Sequence, residues 1–451
     1  MYIKNRKELI SHGNIEARKA AVDIIDHVIK EANPYTATRN LVHLDGNILT
    51  VADLRFDLSK RGKIYVLGAG KATYPIARAL DEILGDRIHD GLIIVKQGQG
   101  DSLSRIKVRE ATHPLPGMHG YIAAQEMLSL AERAHEGDIV FCAITGGSSS
   151  LAPFPAPGMS IKEKRKVHEL LLNSGATIRE INTVRKHLSR IKGGRLALAI
   201  FPAELVNLTV SDVTGDPLDY ITDPTVPDSS TFADAIQVLE NYRLLHRLPD
   251  PAREYLLKAT PEMENPKDFS GRPVHNFILV RSGVPCDAAS AKAAELGFVP
   301  LILTSTLEGE SREVSSVFTA IAREVRACGR PLPAPCAIIA SGEVTVTLRG
   351  EHERGGPNQE FALAAALQLD GWDGIVIAAV DTDGTDGPTG FAGGLVDSST
   401  LITAERKELD LAYSLRTHAA ADALSALGDA IVTGQTGTNV NDLYLMLITA
   451  A

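Results

Sequence analysis

An α/β fold is predicted for this 451-residue chain by three observations. Short apolar runs at 64–67, 91–95 and 138–144 have the length and composition of buried strands. Between them lie stretches of helical length whose apolar residues recur every three or four positions. Finally, the unusual polar clusters fall where apolar runs end, and the carboxyl ends of strands are where open α/β sheets bind ligands. Such alternation describes a parallel sheet covered on both faces.

Taken in order, Asn14 is placed to cap a helix over 15–32, with Ile25, Val28, Ile29 and Ala32 on one face, and Asn33-Pro34 stops it. The run 64–67 is a strand that turns on Gly68-Ala69-Gly70 into an apolar-periodic helix, with Lys71 at the mouth of the turn. Bare N–H groups and the helix dipole make such a turn attractive to anions. A strand at 91–95, a helix at 121–135 and a strand at 138–144 follow, the last running into Thr145-Gly-Gly-Ser-Ser-Ser150. Ser160 and Glu163 form a capping box for a helix to about 172, whose Lys162, Lys164, Arg165 and Lys166 read as a solvated face. A strand at 205–210 delivers Ser211-Asp-Val-Thr-Gly-Asp216.

The polar, aperiodic stretch 261–273 is the expected boundary between domains at 1–270 and 271–451. Beyond it the pattern predicts strands at 275–280, 299–304, 336–340, 344–348, 375–380 and 443–448. Helices are predicted at 288–296, 313–328 and 359–369.

Composition excludes several classes of function. Hydrophobic residues make up 44% and charged residues 23%, ordinary for a globular protein. Net charge is −10 with no Lys/Arg block, which argues against nucleic acid and leaves room for a small anionic ligand held by local positive groups. The four cysteines lack C-x-x-C spacing, so free thiols in a reducing compartment are expected. No apolar run is long enough for a membrane span and the N-terminus has no apolar leader, so a soluble, cytoplasmic protein is expected.

The first turn is not a complete dinucleotide fingerprint, because Thr73 stands where the third glycine belongs and Lys96-Gln97 where a ribose-binding acid belongs. A P-loop is absent too. Thr145–Ser150 offers N–H and hydroxyl donors for phosphate oxygens, but it does not meet G-x-S-x-G for a serine nucleophile. Asp212 and Asp216 follow one strand, and Asp381, Asp383 and Asp386 another. Such clusters suit either turns or a Mg²⁺–phosphate site. Arg185, Lys186, Arg190, Lys192 and Arg195 are candidates for a carboxylate or phosphate, and His113 and His187 for acid–base work.

Together these motifs resemble the class II glycerate kinases, two-domain glycerate 2-kinases with a C-terminal MOFRL domain. The strings are VLGAGKA (66–72), THPLPG (112–117), TGGSSSL (145–151), NTVRKHLSRIKGGRLA (182–197) and SDVTGDP (211–217). PTVPDSSTFADA (224–235), GGPNQEFALAAA (355–366), DTDGTDGPTG (381–390) and TGQTGTNVNDL (433–443) continue the match in family order. The resemblance implies a Rossmann-like N-terminal domain and a smaller mixed α/β domain, with the active site in the cleft between them. It also implies transfer of the ATP γ-phosphoryl group to the C2 hydroxyl of D-glycerate, with Mg²⁺ or another divalent ion.

The family's active-site lysine falls on Lys71. Its arginine falls on Pro357, so that either Arg354, three residues earlier, takes over or the phosphate is bound differently, and Thr222-Asp-Pro224 replaces a common Ser-Gly-Pro. On this reading Lys71, Asp212 and Arg354 are catalytic, and Arg185, Lys186, Arg195, Ser148 and Ser149 bind the acceptor. Gly68, Gly70, Gly146, Gly147, Asn358, Glu360, Thr385, Thr438 and Asn439 bind nucleotide or phosphate, and Asp216, Asp383 and Asp386 bind metal. A monomer or homodimer with ATP and a hydroxy acid as its partners is expected. An NAD(P)H-dependent hydroxypyruvate reductase and a non-catalytic sugar-acid or nucleotide binder are the alternatives.

Overall fold

The structure, a computed structural model, describes residues 1–213, 215–348 and 353–450. Two compact units result, one of residues 34–280 and one of residues 1–33 with 281–451. This division departs from 1–270 and 271–451 at both ends, for reasons visible in the packing of each unit.

In the unit 34–280, three short strands, β1 (Val42–Asp45), β2 (Ile48–Val51) and β3 (Leu54–Asp57), form an antiparallel sheet. Next come β4 (Ile64–Ala69), β5 (Ile88–Lys96), β6 (Lys107–Ala111), β7 (Ile139–Ile144), β8 (Glu204–Val210) and β9 (Val274–Val280). These six strands form one parallel sheet in the order β6-β5-β4-β7-β8-β9. The first three run outward from β4 on one side and the rest continue on the other, which is the doubly wound dinucleotide-fold order. Every residue of β4 and β7 is buried, as their unbroken apolar character requires of central parallel strands. The strand expected to open the second domain is therefore β9, the edge of this sheet. The preceding stretch is held to the same unit, since Arg195 donates to Asn265 Oδ1 and to the carbonyl of Met263, both at 2.6 Å. Four helices, Ile161–Leu172, Ile178–His187, Phe232–Asn241 and Asp250–Leu257, pack around a separate apolar core.

In the other unit, β10 (Val299–Glu310), β11 (Cys336–Thr345), β12 (Ile375–Asp381), β13 (Gly393–Asp397), β14 (Ala430–Ile431) and β15 (Asp442–Ile448) form a mixed sheet. Its order is β10-β11-β15-β12-β13-β14, and β15 runs antiparallel to both its neighbours. The strand expected at 336–340 and the start of that expected at 344–348 are one element, β11, which ends at Thr345. Helix Ile15–Glu31 covers this sheet, burying Ile24, Ile25, Val28 and Ile29 against Val376, Ala378, Leu445 and Leu447. Arg18, fully buried on that helix, donates to Asp397 Oδ2 at 2.6 Å and Asp429 Oδ1 at 2.7 Å. These contacts fix the first 33 residues in the C-terminal unit.

Candidate functional site

The sheet order reverses between β4 and β7, so the turns that follow these strands share a topological switch point. Hydrogen bonds join them. Thr145 N–H donates to the Ala69 carbonyl at 3.0 Å and Lys71 N–H to the Gly146 carbonyl at 2.9 Å. Ala72 N–H donates to Thr145 Oγ1 at 3.2 Å, and Thr73 Oγ1 donates to the Ala143 carbonyl at 2.9 Å. Thr73 thus does structural work where a fingerprint would have glycine.

Gly68 lies buried in β4. Gly70 has φ +144° and stands so close to Thr145 that an added Cβ would overlap its hydroxyl and carbonyl. Only glycine fits there without strain. Gly147, in the left-handed region, opens the one-turn helix Ser148–Leu151. A Cβ on Gly147 would lie 3.3 Å from Cγ of Lys71 and 3.4 Å from the His113 ring, so both side chains border this turn. Gly146, Ser148 and Ser149 are half-buried beside them. The turns thus set small-residue N–H and hydroxyl donors next to a lysine, an arrangement suited to an oxyanion.

The basic stretch 182–197 is resolved into separate tasks. Lys186 is buried against Asp228 Oδ1 at 3.4 Å and Asp219 Oδ2 at 3.6 Å, where it is neutralised. Arg195 is committed to Asn265 and Met263. Arg185, also buried, points elsewhere. Its Nη2 lies 3.1 Å from His168 Nε2, and its Nε has no hydrogen-bond partner among the described residues. Lys192 donates to Asp223 Oδ2 at 2.8 Å. Lys164, expected on a solvated face, is buried instead, and its Nζ donates to the Leu188 carbonyl at 2.9 Å. Burial, Lys192 and Arg185 together push its pKa down to about 7. Lys164 and His168 were hidden within a run of charges, although their i, i+4 spacing alongside Val167 and Leu171 places them on the helix's buried face.

At the end of β8, Asp212 is half-buried, Asp216 adopts φ +53°, and Thr214 lies outside the described residues.

In the other unit Asp386 is spent on the helix Pro357–Ala366. Its Oδ1 accepts from Asn358 N at 3.1 Å, and its Oδ2 from Gln359 N and Gln359 Nε2, each at 2.8 Å. Burial still raises its pKa to about 6 against those bonds. Asp383 Oδ1 accepts from the N–H of Thr385 at 2.8 Å and from its hydroxyl at 2.7 Å, an Asx turn. Glu360 is buried with Oε1 at 2.6 Å from His418 Nδ1. Asn358 Oδ1 and Thr438 Oγ1 are buried without a hydrogen-bond partner among the described residues, and Asn439 is half-buried. Asp442 pairs in register with Gly342 of β11 and Asp381 of β12, which places a buried carboxylate between two strand ends. Arg354 is 70% exposed at its side chain and bonds Asp422 at 2.8 Å.

The aspartates named for a metal do not fit a protein-built cage. Three oxygens of Asp383 and Asp386 already accept N–H or O–H donors. Among the described residues no three His, Cys, Asp or Glu side chains converge as a metal site.

Comparison with known proteins matches this architecture. The family model described as a domain of unknown function (DUF4147) matches residues 20–257, and that of the MOFRL family matches 336–442. A Pyrococcus horikoshii protein named glycerate 2-kinase is 40% identical over 440 residues, spanning 97% of this chain and 98% of its own. The chain belongs to the glycerate 2-kinase family. Another family member, the D-glycerate 2-kinase of Thermotoga maritima, is 38% identical and covers 96% of this chain and 98% of its own. The crystal structure of a Thermotoga maritima glycerate kinase superposes with a TM-score of 0.83 at 37% identity, covering 96% of this chain and 100% of that one. The two-domain α/β architecture is thus that of the glycerate kinases.

Proposed function

We propose that the chain transfers the γ-phosphoryl group of ATP to the C2 hydroxyl of D-glycerate, giving 2-phosphoglycerate and ADP. The observation that carries this reading is the similarity over nearly the whole chain to relatives named for that activity. The joined turns after β4 and β7 give it a chemical basis, since phosphoryl transfer depends on positioning and on charge neutralisation. Lys71 supplies a positive charge to the phosphoryl oxygens. Gly146, Gly147, Ser148 and Ser149 supply N–H and hydroxyl donors beside it.

Asp212 is assigned to the acceptor hydroxyl and Arg185, whose Nε has no hydrogen-bond partner among the described residues, to the acceptor carboxylate. Asn358, Thr385, Thr438 and Asn439 are assigned to the nucleotide, Glu360 to fixing His418 beside them, and Arg354 to its phosphates. A divalent ion would accompany ATP on the nucleotide's own phosphate oxygens.

A coupled ADP-release assay with Mg-ATP tests the reading against D-glycerate, L-glycerate and four-carbon hydroxy acids. ADP release with D-glycerate is expected. ADP release with none of these acids would overturn the reading, as would oxidation of a nicotinamide cofactor without ATP.

A further inference from the structure

Lys164, Arg185 and Lys192 are each more than nine-tenths buried in the unit 34–280. Asp223 is the carboxylate whose charge bears on all three. It meets Lys192 at 2.8 Å through Oδ2, while its Oδ1 has no hydrogen-bond partner among the described residues. Among the described residues the Lys164 ammonium donates to neutral acceptors, the carbonyls of Leu188 at 2.9 Å and Arg185 at 3.4 Å. Three buried cations thus face one carboxylate. Buried charge of one sign is unfavourable unless a partner of the other sign is supplied. The group bears the mark of that cost, because burial pulls the Arg185 pKa down to about 10 and, with the neighbouring cations, that of Lys164 to about 7.

His168 explains how Arg185 is aimed. A guanidinium has only donors, so His168 Nε2, 3.1 Å from Nη2, must be the acceptor, with its proton on Nδ1. Burial and the cations around it, with Arg185 first among these, hold the ring neutral by lowering its pKa to about 3. His113, which borders the turn at Gly147 with Lys71, also acts on the His168 charge. The cationic group therefore lies on the side of the unit that carries the Lys71 turn.

We propose that Lys164, Arg185 and Lys192, with Asp223 as partial counterion, form a buried receptor for the carboxylate of the acceptor, and that His168 is a positioning residue that holds Arg185 in place. This rests on the phosphoryl-transfer reading for the identity of the acceptor. The receptor chemistry itself requires only a small oxyanion. A carboxylate would reduce the excess positive charge and accept from Arg185 Nε as a charge-assisted bond.

Binding to the full-length protein without nucleotide, with D-glycerate and inorganic phosphate as probes, tests the receptor alongside steady-state kinetics. Lys164→Met is expected to raise the Kd and KM for D-glycerate by about tenfold or more while the KM for ATP stays put. His168→Ala should do the same, and His168→Gln, whose side-chain carbonyl can accept from Arg185, should restore binding to within about threefold. Lys164→Gln serves if the Met variant does not fold by circular dichroism.

Unchanged glycerate affinity in a folded Lys164 variant overturns the receptor. So does a His168→Ala variant that behaves as wild type, or a Lys164 defect confined to phosphate. A wild-type protein that binds D-glycerate in a Lys164-dependent way yet releases no ADP would support the receptor and sink the kinase reading. Normal wild-type turnover with an unaffected Lys164→Met variant would do the reverse.

Discussion

The N–H of Lys71 donates to the carbonyl of Gly146 at 2.9 Å, so the turns after β4 and β7 behave as one structure. The position of Lys71 therefore depends on Gly70, whose φ of +144° and contact with Thr145 leave no room for a Cβ. Gly70→Ala should displace the turn, lower stability by about 1–3 kcal/mol and reduce turnover. Thermal unfolding and ADP release on the same preparation check both effects.

Lys71→Ala should leave the fold intact, because the lysine is half-buried at the mouth of the turn and its backbone bond survives the change. Turnover should fall at least about 100-fold, equivalent to losing one stabilising donor at about 2.7 kcal/mol. A wild-type kcat in this variant would remove Lys71 from the chemistry.

Arg18 is the ion-pair partner of Asp397 and Asp429 in a fully buried setting. Arg18→Ala would leave Asp397 buried without its cation and Asp429 with His12 Nε2 at 2.8 Å in its place, and a loss of about 3–5 kcal/mol is expected. Denaturant unfolding measures it directly. A loss under about 1 kcal/mol would mean that helix Ile15–Glu31 is held by its apolar face alone.

Much of this was legible in the sequence, and the failures have physical causes. Unbroken apolar runs with small-residue ends locate β4, β7 and their turns, because both strands are buried on two faces. Strand partners are set by tertiary packing, and so the sequence pattern makes β9 the start of the next domain although it is the edge of the parallel sheet. The place of residues 1–33 depends on an ion pair spanning 379 residues, which periodicity does not register. Arg185, Lys186 and Arg195 look equivalent in a string, yet the structure gives them a histidine, two aspartates and an Asn–carbonyl pair respectively.

His168 carries a pH consequence. Its pKa falls from 6.5 to about 3 on folding, first through burial and then through the nearby cations. Between those values the unfolded chain binds a proton that the folded chain does not. The stability present above pH 6.5 is therefore lost progressively as pH falls toward 3. His168→Gln removes that titration, so its urea midpoint should decline less steeply on acidification than that of the wild type. Parallel declines would show that His168 does not stay neutral in the folded protein.

The identity of the product tests the central claim most directly. Phosphorus-31 NMR of the wild-type protein incubated with Mg-ATP and D-glycerate should show 2-phosphoglycerate and ADP forming in equal amounts. A 3-phospho ester would contradict the assignment to C2. The absence of any phosphate ester would contradict phosphoryl transfer itself.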